Sequence, residues 1–349
     1  MNFIRYTSLF IMLASLIPLI RNDYWIFRVF EYPRLQKLLL NIVLIIVMVC
    51  TVNFPYTLFD SAVMLGLGIN LIYLCYLVMP FTFLGKKQLT ASTKPAGNNN
   101  ITVLIANVYQ YNKRADKYRK LISKCDPDVI LMVETDRWWE KQMSSIEANY
   151  PYQIKMPLDN TYGMLLYSRL ELVNGAVNFL VEDDIPSIET NVKLKSGQLV
   201  KLYCLHPKPP VPQENPRSTE RDKEILLVAE KAKNSDLPVL VMGDLNDVAW
   251  SYTTELFCKI SSLLDPRRGR GFYNSFNAKY FFLRFPLDHI FCSSDFSLTT
   301  INRMDHCDSD HFPMCVNLQY DPSARPKNEE LDVTVEDKEL AREKINAEV

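Results

Sequence analysis

The feature that most constrains this chain is the gathering of its long apolar runs at one end. Three of them, Phe3 to Ile20, Leu38 to Phe54 and Leu58 to Leu84, approach or exceed the ~17 residues a helix needs to cross bilayer hydrocarbon. The first is short, but it lacks the small-residue cleavage site of a secretory signal. It runs into Arg21-Asn22-Asp23-Tyr24-Trp25 and so reads as a retained span. Trp25, Tyr32 and Tyr56 stand near the ends of these runs, where interfacial aromatics belong. Residues 1–87 are therefore expected to form a transmembrane region of three helices.

Basic residues set the expected orientation. Arg21, Arg28, Arg34 and Lys37 lie in or beside the first loop, the second short loop has none, and Lys86 and Lys87 follow the third run. Because positive charge is retained inside, this pattern predicts a multi-pass protein of the inner membrane with its large C-terminal domain in the cytoplasm. Arg5 opposes that orientation, and an outward-facing domain carried across by an odd number of spans stays open. The eight cysteines form no Cys-x-x-Cys pair and no Cys/His spacing suited to zinc, and free buried thiols fit a reducing compartment. The formal net charge of -1 gives no global attraction for polyanions, so nucleic-acid phosphates would have to be met by a local patch.

Beyond the apolar runs the chain changes character. Residues 88–100 are polar and read as a linker, and residues 321–349, with Pro322, Pro326 and many charges, read as a flexible tail in which Glu336 to Glu348 can form a solvated helix. Between them, residues 101–320 alternate strand-like and helical segments. Ile101–Ala106 ends at Asn107, and the helical Ala115–Lys124 leads into Val129–Val133, which ends at Glu134. Leu199–Leu205 precedes His206, and Pro238–Met242 precedes Gly243-Asp244-Leu245-Asn246. Polar side chains that close apolar strands line a rim. Hairpin-like segments at 163–168 and 190–203, the latter with a Ser196-Gly197 turn, complete an α/β pattern of two packed sheets covered by helices.

The ordered set Asn107, Glu134, His206, Gly243-Asp244-Leu245-Asn246, Leu287-Asp288-His289-Ile290 and Ser309-Asp310-His311 resembles the endonuclease/exonuclease/phosphatase superfamily over about residues 101 to 320. Each motif alone arises easily by chance, whereas the whole set in this order after suitable strands is specific. The resemblance implies the deoxyribonuclease-like fold, a four-layer α/β/β/α sandwich, here preceded by a transmembrane helical region. The apolar front and the His206–Pro210 segment are similar to the bacterial multi-pass branch of that superfamily.

The resemblance also implies roles. Glu134 is the main ligand of a divalent metal, Mg2+ or Mn2+, with Asn107 and Asp310 close by. Asp244 positions and polarises the attacking water, and Asn246 holds that carboxylate and a phosphate oxygen. His206 and His311 donate to phosphoryl oxygens, and Asp288 pairs with His311. Hydrolysing a phosphate ester calls for neutralised oxygens, an oriented water and a stabilised leaving group, and these residue types supply all three. Some nucleases carry an acidic ligand two residues after the motif asparagine; Tyr109 stands there, so a single metal is expected. His289 and His306 are expected to be structural. Arg267, Arg268 and Arg270, set among Gly269 and Gly271, form a basic loop able to grip phosphate, as is Arg221, with an exposed solubilising surface as the competing reading.

The function expected is a membrane-anchored, metal-dependent hydrolase of phosphate esters or anhydrides. A domain held at the bilayer meets lipid headgroups at high effective concentration, which favours a lipid-linked substrate. The alternatives are a membrane-tethered endonuclease acting on nucleic acid and a non-catalytic membrane scaffold. Loss of motifs would mark the scaffold, and the central acidic and histidine positions are all present.

Overall fold

The computed structural model describes residues 2–51, 55–95 and 97–349; the end of the second apolar run, Val52 to Phe54, and Ala96 in the expected linker lie outside the described residues. The front of the chain forms α1 (Asn2–Leu16), the short α2 (Trp25–Arg28) within the first loop, α3 (Arg34–Thr51) and α4 (Leu58–Val78). Ile11, Leu44, Met48, Val63 and Leu67 pack together between α1, α3 and α4. Leu39, Ile46, Leu65 and Ile72 face outward, and helices apolar on all sides are stable when the outer face meets lipid. Among the described residues, three helices, Asn2–Leu19, Arg34–Thr51 and Leu58–Phe81, are long and apolar enough to cross a membrane. Inside the bundle the Asn41 amide donates to the Leu67 carbonyl (3.0 Å) and accepts from Asn70 (2.9 Å), so both polar side chains are satisfied within the apolar bundle.

The remaining chain builds two sheets. The first contains β1 (Asn100–Asn107), β2 (Val129–Val133), β3 (Tyr152–Met156), β4 (Met164–Ser168), β10 (Phe296–Arg303) and β11 (Met314–Tyr320) in the order β10-β11-β1-β2-β4-β3. The second contains β5 (Glu171–Asn178), β6 (Ser187–Lys193), β7 (Leu199–Leu205), β8 (Val239–Asp244) and β9 (Asp288–Cys292) in sequential order. Strand alternation assigns each face. Val103, Ile105, Leu131 and Val133 meet Leu202, Cys204, Leu240 and Met242 between the sheets. Leu104, Ala106, Ile130 and Met132 point the other way, onto α5 (Ala115–Cys125) and α6 (Arg137–Met143). Tyr203, Leu205 and Val241 pack on α7 (Thr219–Lys233) and α8 (Tyr252–Ser261). The result is the four-layer α/β/β/α arrangement expected.

Topology gathers the motif residues. β1 and β2 are parallel and joined through α5, and β7 and β8 are parallel and joined through α7. Each parallel pair ends on the same rim, so Asn107, Glu134, His206 and Asp244 arrive together, as ligand sites in α/β sheets do at the carboxyl ends of strands. β9 runs antiparallel to β8 with Asp288 opposite Asp244, and β11 runs antiparallel to β1, bringing the preceding Asp310 and His311 to that rim. Gly243 is required where β8 lies against β7, because a Cβ there would overlap the Leu205 carbonyl.

Two expectations at the edges of the domain need correction. The 88–100 segment is no free linker: Leu89 is buried in the core, Thr90 accepts from Leu298 N (2.8 Å), and Gln88 accepts from Asp265 N (2.9 Å). The tail is no flexible appendage either. It forms α9 (Val335–Ile345), whose Ala341 and Lys344 are buried against α7 and α8. Both segments were polar enough to read as solvated, yet their few apolar or long side chains find partners far along the chain. The eight cysteines are all free, with Cys204, Cys292 and Cys315 buried in strands.

Candidate active site

Glu134 directly follows β2 with a left-handed backbone (φ 58°), a conformation that non-glycine residues adopt at a cost and that turns its carboxylate into the cleft. Asn107 donates through one amide nitrogen to both Glu134 Oε1 (2.7 Å) and Asp244 Oδ2 (3.0 Å), while its oxygen accepts from Tyr109 N (3.0 Å). In this arrangement Asn107 orders two carboxylates. Gln110 N approaches Glu134 Oε2 at 3.4 Å. Desolvation raises the Glu134 carboxyl to about 7, with the Asp310 and Asp244 charges adding to it against the pull of His311 and the Asn107 hydrogen bond.

Across the cleft, His311 Nδ1 donates to Asp288 Oδ2 at 2.7 Å, and His311 Nε2 stands 3.5 Å from Asp244 Oδ2. Burial alone would lower this imidazole, but Asp288 and Asp244 carry it up to about 10, so it is a cation at neutral pH. Ser309 fixes the approach: its hydroxyl donates to Asn107 O (2.9 Å) and accepts from His311 N (3.0 Å). Ser275 does the same for β9, accepting from Asp288 N at 3.1 Å. His206 behaves oppositely. Its Nε2 lies 4.0 Å from Asp244 Oδ2, its buried Nδ1 has no partner, and burial lowers it to about 4, leaving it neutral.

Asp244 accepts from Asn246 N at 3.0 Å through Oδ1. Burial raises its carboxyl, the His311 cation opposes this, and Asp288 adds to it. Asn246, with φ 49°, donates its side-chain amide to Pro207 O (2.9 Å), so it braces the His206 loop while its backbone orients Asp244. An Asx turn and a site residue thus coincide.

The four arginines are not in the cleft. Arg221 is enclosed, donating to Asp222 Oδ1 (2.8 Å) and to the Asn246 carbonyl (2.7 Å). Arg267 is spent behind β9 on Asp265 (2.8 Å), the Asp288 carbonyl (3.3 Å) and His289 Nδ1 (2.6 Å). Arg268 lies over the Phe81 ring (5.2 Å), and Arg270 donates to the Leu89 and Pro266 carbonyls. Their loop is a clamp on the segment leaving α4, where Gly269 N also reaches Pro80 O (2.8 Å). His289, donating to Asp247 O (2.8 Å), and His306, bonded to Ser309 O (2.7 Å), have structural contacts.

The segment between α1 and α3 contributes to the site in a way the sequence does not reveal. Tyr32 donates to the Asn246 carbonyl (3.1 Å), Trp250 donates to Glu31 O (2.9 Å), and Arg28 is buried beside Glu31 (3.5 Å), Asp247 (3.6 Å) and Asp222 (4.0 Å). Lys344 from α9 completes this network at Asp222 (2.8 Å) and Asp23 (2.7 Å). No local pattern marks such partners, since they lie up to hundreds of residues apart in the chain.

The donor set fits a hard divalent cation. Asp244, Asp288 and His311 present ligand atoms within 4.8 Å of one another, but the protonated His311 makes them an ion triad rather than a cage. Burial outweighs the pull of His311 at Glu134, so a cation bound there would relieve its carboxylate, and oxygen ligands suit Mg2+ and its kin.

A profile of the Endonuclease/Exonuclease/phosphatase family matches residues 104–311. No curated protein matches the chain by sequence. Among solved structures, D. rerio TDP2 complexed with single strand DNA product is similar at 16% identity and TM-score 0.52, covering 63% of this chain and 99% of that one. An endonuclease/exonuclease/phosphatase family protein from Bacteroides thetaiotaomicron is similar at 20% identity and TM-score 0.52, covering 65% and 100%. The human Nocturnin catalytic domain with bound sulfate is similar at 16% identity and TM-score 0.51, covering 65% and 96%. Likeness at such identities is likeness of fold.

Proposed function

The chain belongs to the Endonuclease/Exonuclease/phosphatase family, whose members are metal-dependent phosphoesterases and nucleases, and from that premise we propose a membrane-anchored hydrolase of phosphate esters carried on lipid. The observation that carries this reading is the Asp288–His311 pair (2.7 Å) set against Asp244, with Glu134 and Asn107 on the facing strand ends.

The residues divide the work. His311, held cationic, donates to a phosphoryl oxygen and stabilises charge that grows in the transition state. Asp244, raised by burial, accepts the proton of the attacking water, with Asn107 and the Asn246 backbone fixing its two oxygens. Neutral His206 offers a second donor. A Mg2+ (or Mn2+) ion on Glu134 and Asp310, with Asn107 ordering Glu134, would neutralise phosphate oxygens and stabilise the leaving oxygen.

Lipid is favoured over nucleic acid by three helices able to span a bilayer, by a net charge of -1 and by the diversion of all four candidate arginines away from the cleft. The test compares metal-dependent cleavage of lipid phosphoesters with nicking of plasmid DNA by the full chain in nanodiscs; nicking without lipid turnover would make it a tethered nuclease. We also propose a cytoplasmic catalytic domain at the inner membrane. Arg21, Arg34, Lys86 and Lys87 flank the spans on the domain's side, while Arg5, the residue against this orientation, is paired with Asp60 (2.8 Å).

A further inference from the structure

Between α8 and β9 the chain makes an ordered loop whose base is at the cleft and whose tip is apolar. Phe276 N donates to Phe285 O (2.9 Å), Asn277 N to Leu283 O (3.1 Å) and Leu283 N to Tyr280 O (3.2 Å), which projects the tip. There Tyr280, Phe281, Phe282 and Leu283 are 62%, 72%, 80% and 54% exposed, a contiguous run that water disfavours. The base touches the chemistry: Ala278 N donates to the Asp310 carbonyl (2.6 Å), and the Phe276 ring lies 4.9 Å from that of His311. The tip touches the anchor. Gln36, in the first turn of the membrane-spanning α3, donates to the Phe282 carbonyl at 2.8 Å, and Tyr32 packs edge-on against Phe285 at 5.4 Å.

We propose that the Tyr280–Leu283 tip is a bilayer-docking element that seats among lipid headgroups beside α3 and holds the mouth of the cleft at their level, so that the substrate is a phosphoester borne by a membrane lipid. The Gln36 contact makes the tip continuous with the lipid-facing helices, which identifies the bilayer as its cover. Aromatic side chains favour the interface, and exposed Lys279 beside the tip carries charge that anionic headgroups attract, while the Arg284 guanidinium stacks over the Phe281 (5.1 Å) and Phe312 (5.0 Å) rings. Docking stands on this geometry alone; the substrate class rests on the phosphoesterase reading.

The test therefore has two arms, both using the full chain in vesicles of phosphatidylcholine and phosphatidylglycerol. In the first, Phe281→Trp adds an indole at the tip, and its fluorescence is taken as the difference from wild type. Quenching by doxyl-labelled lipid with protection from acrylamide is expected. Quenching by acrylamide and not by the lipid label would overturn docking, as would protection from both, which would mean a protein cover. In the second arm, Phe281→Ser/Phe282→Ser should slow a vesicle-borne lipid phosphoester by about tenfold or more while leaving a water-soluble phosphoester within about twofold. Equal effects on both substrates would overturn the delivery role. Inactivity of wild type on every phosphoester would strike the functional reading and with it the substrate class, with docking still decided by the first arm.

Discussion

The charge states of the two cleft histidines follow from what faces each ring. Two carboxylates hold His311 protonated to about 10, whereas His206, buried with one distant carboxylate, is neutral above about 4. Removing an anion should reverse the first case. In Asp288→Asn, burial is left to act against a weaker attraction, so the His311 pKa falls toward or below the ordinary ~6.5. The basic limb of the pH–rate profile should move down from near 10 accordingly, and an unmoved limb would remove this pair from the chemistry. Glu134 titrates at about 7 because burial outweighs its partners. Protons therefore compete with metal below that pH, and the Mg2+ needed for half-maximal activity should rise roughly tenfold per pH unit between pH 7 and pH 5. Metal titrations at pH 6 and pH 8 giving one midpoint would contradict this.

At the scale of elements, the strands were legible and their supports were not. Asn107, Glu134, His206 and Asp244 could be read because each closes an apolar run, and a polar residue there has nowhere to go but the rim. Arg221 and Arg267 carry the same local appearance as surface cations; only tertiary partners at Asp222, Asn246 and Asp265 reveal them as buried. The same blindness applies to α9. Lys344 meets a fully enclosed Asp222, whose carboxyl burial would raise but which Lys344, Arg221 and Arg28 hold far below its usual range. Lys344→Met breaks that buried pair and should destabilise the domain by about 3 kcal/mol, the scale for an uncompensated interior charge. Since the carboxyl is depressed, its stabilisation is present above about pH 4 and lost as pH falls below it. An unchanged urea midpoint for the variant at pH 7 would count against the network. Tyr32→Phe removes one of two donors to the Asn246 carbonyl and should lower the unfolding free energy by about 1 kcal/mol; an unchanged urea midpoint would show that this contact does not brace the site.

At the scale of the whole molecule, the N-terminal helices and the sandwich form one unit. The first loop, the α4 exit and α9 all bind the same end of the sandwich, through Trp25 N to Pro216 O (2.8 Å), Gly269 N to Pro80 O (2.8 Å) and Lys344 to Asp222 (2.8 Å). An isolated 101–320 fragment would keep the motif residues yet lose Arg28, Glu31, Tyr32 and Lys344. It should fold less stably and turn over substrate more slowly than the full chain; equal activity would leave the N-terminal helices and α9 no part in the site. If all three apolar helices span a bilayer, the N-terminus lies across it from the sandwich; for the proposed cytoplasmic domain, alkaline phosphatase fused after Val349 should be inactive, and strong reporter activity would put the domain outside. The most direct test uses full-length protein in nanodiscs, stripped with EDTA and titrated with Mg2+ on a lipid phosphoester, wild type beside Glu134→Gln. No turnover when stripped, recovery with Mg2+ and a variant about 100-fold slower at saturation are predicted. Undiminished turnover in EDTA, or a Glu134→Gln rate equal to wild type, would contradict the account.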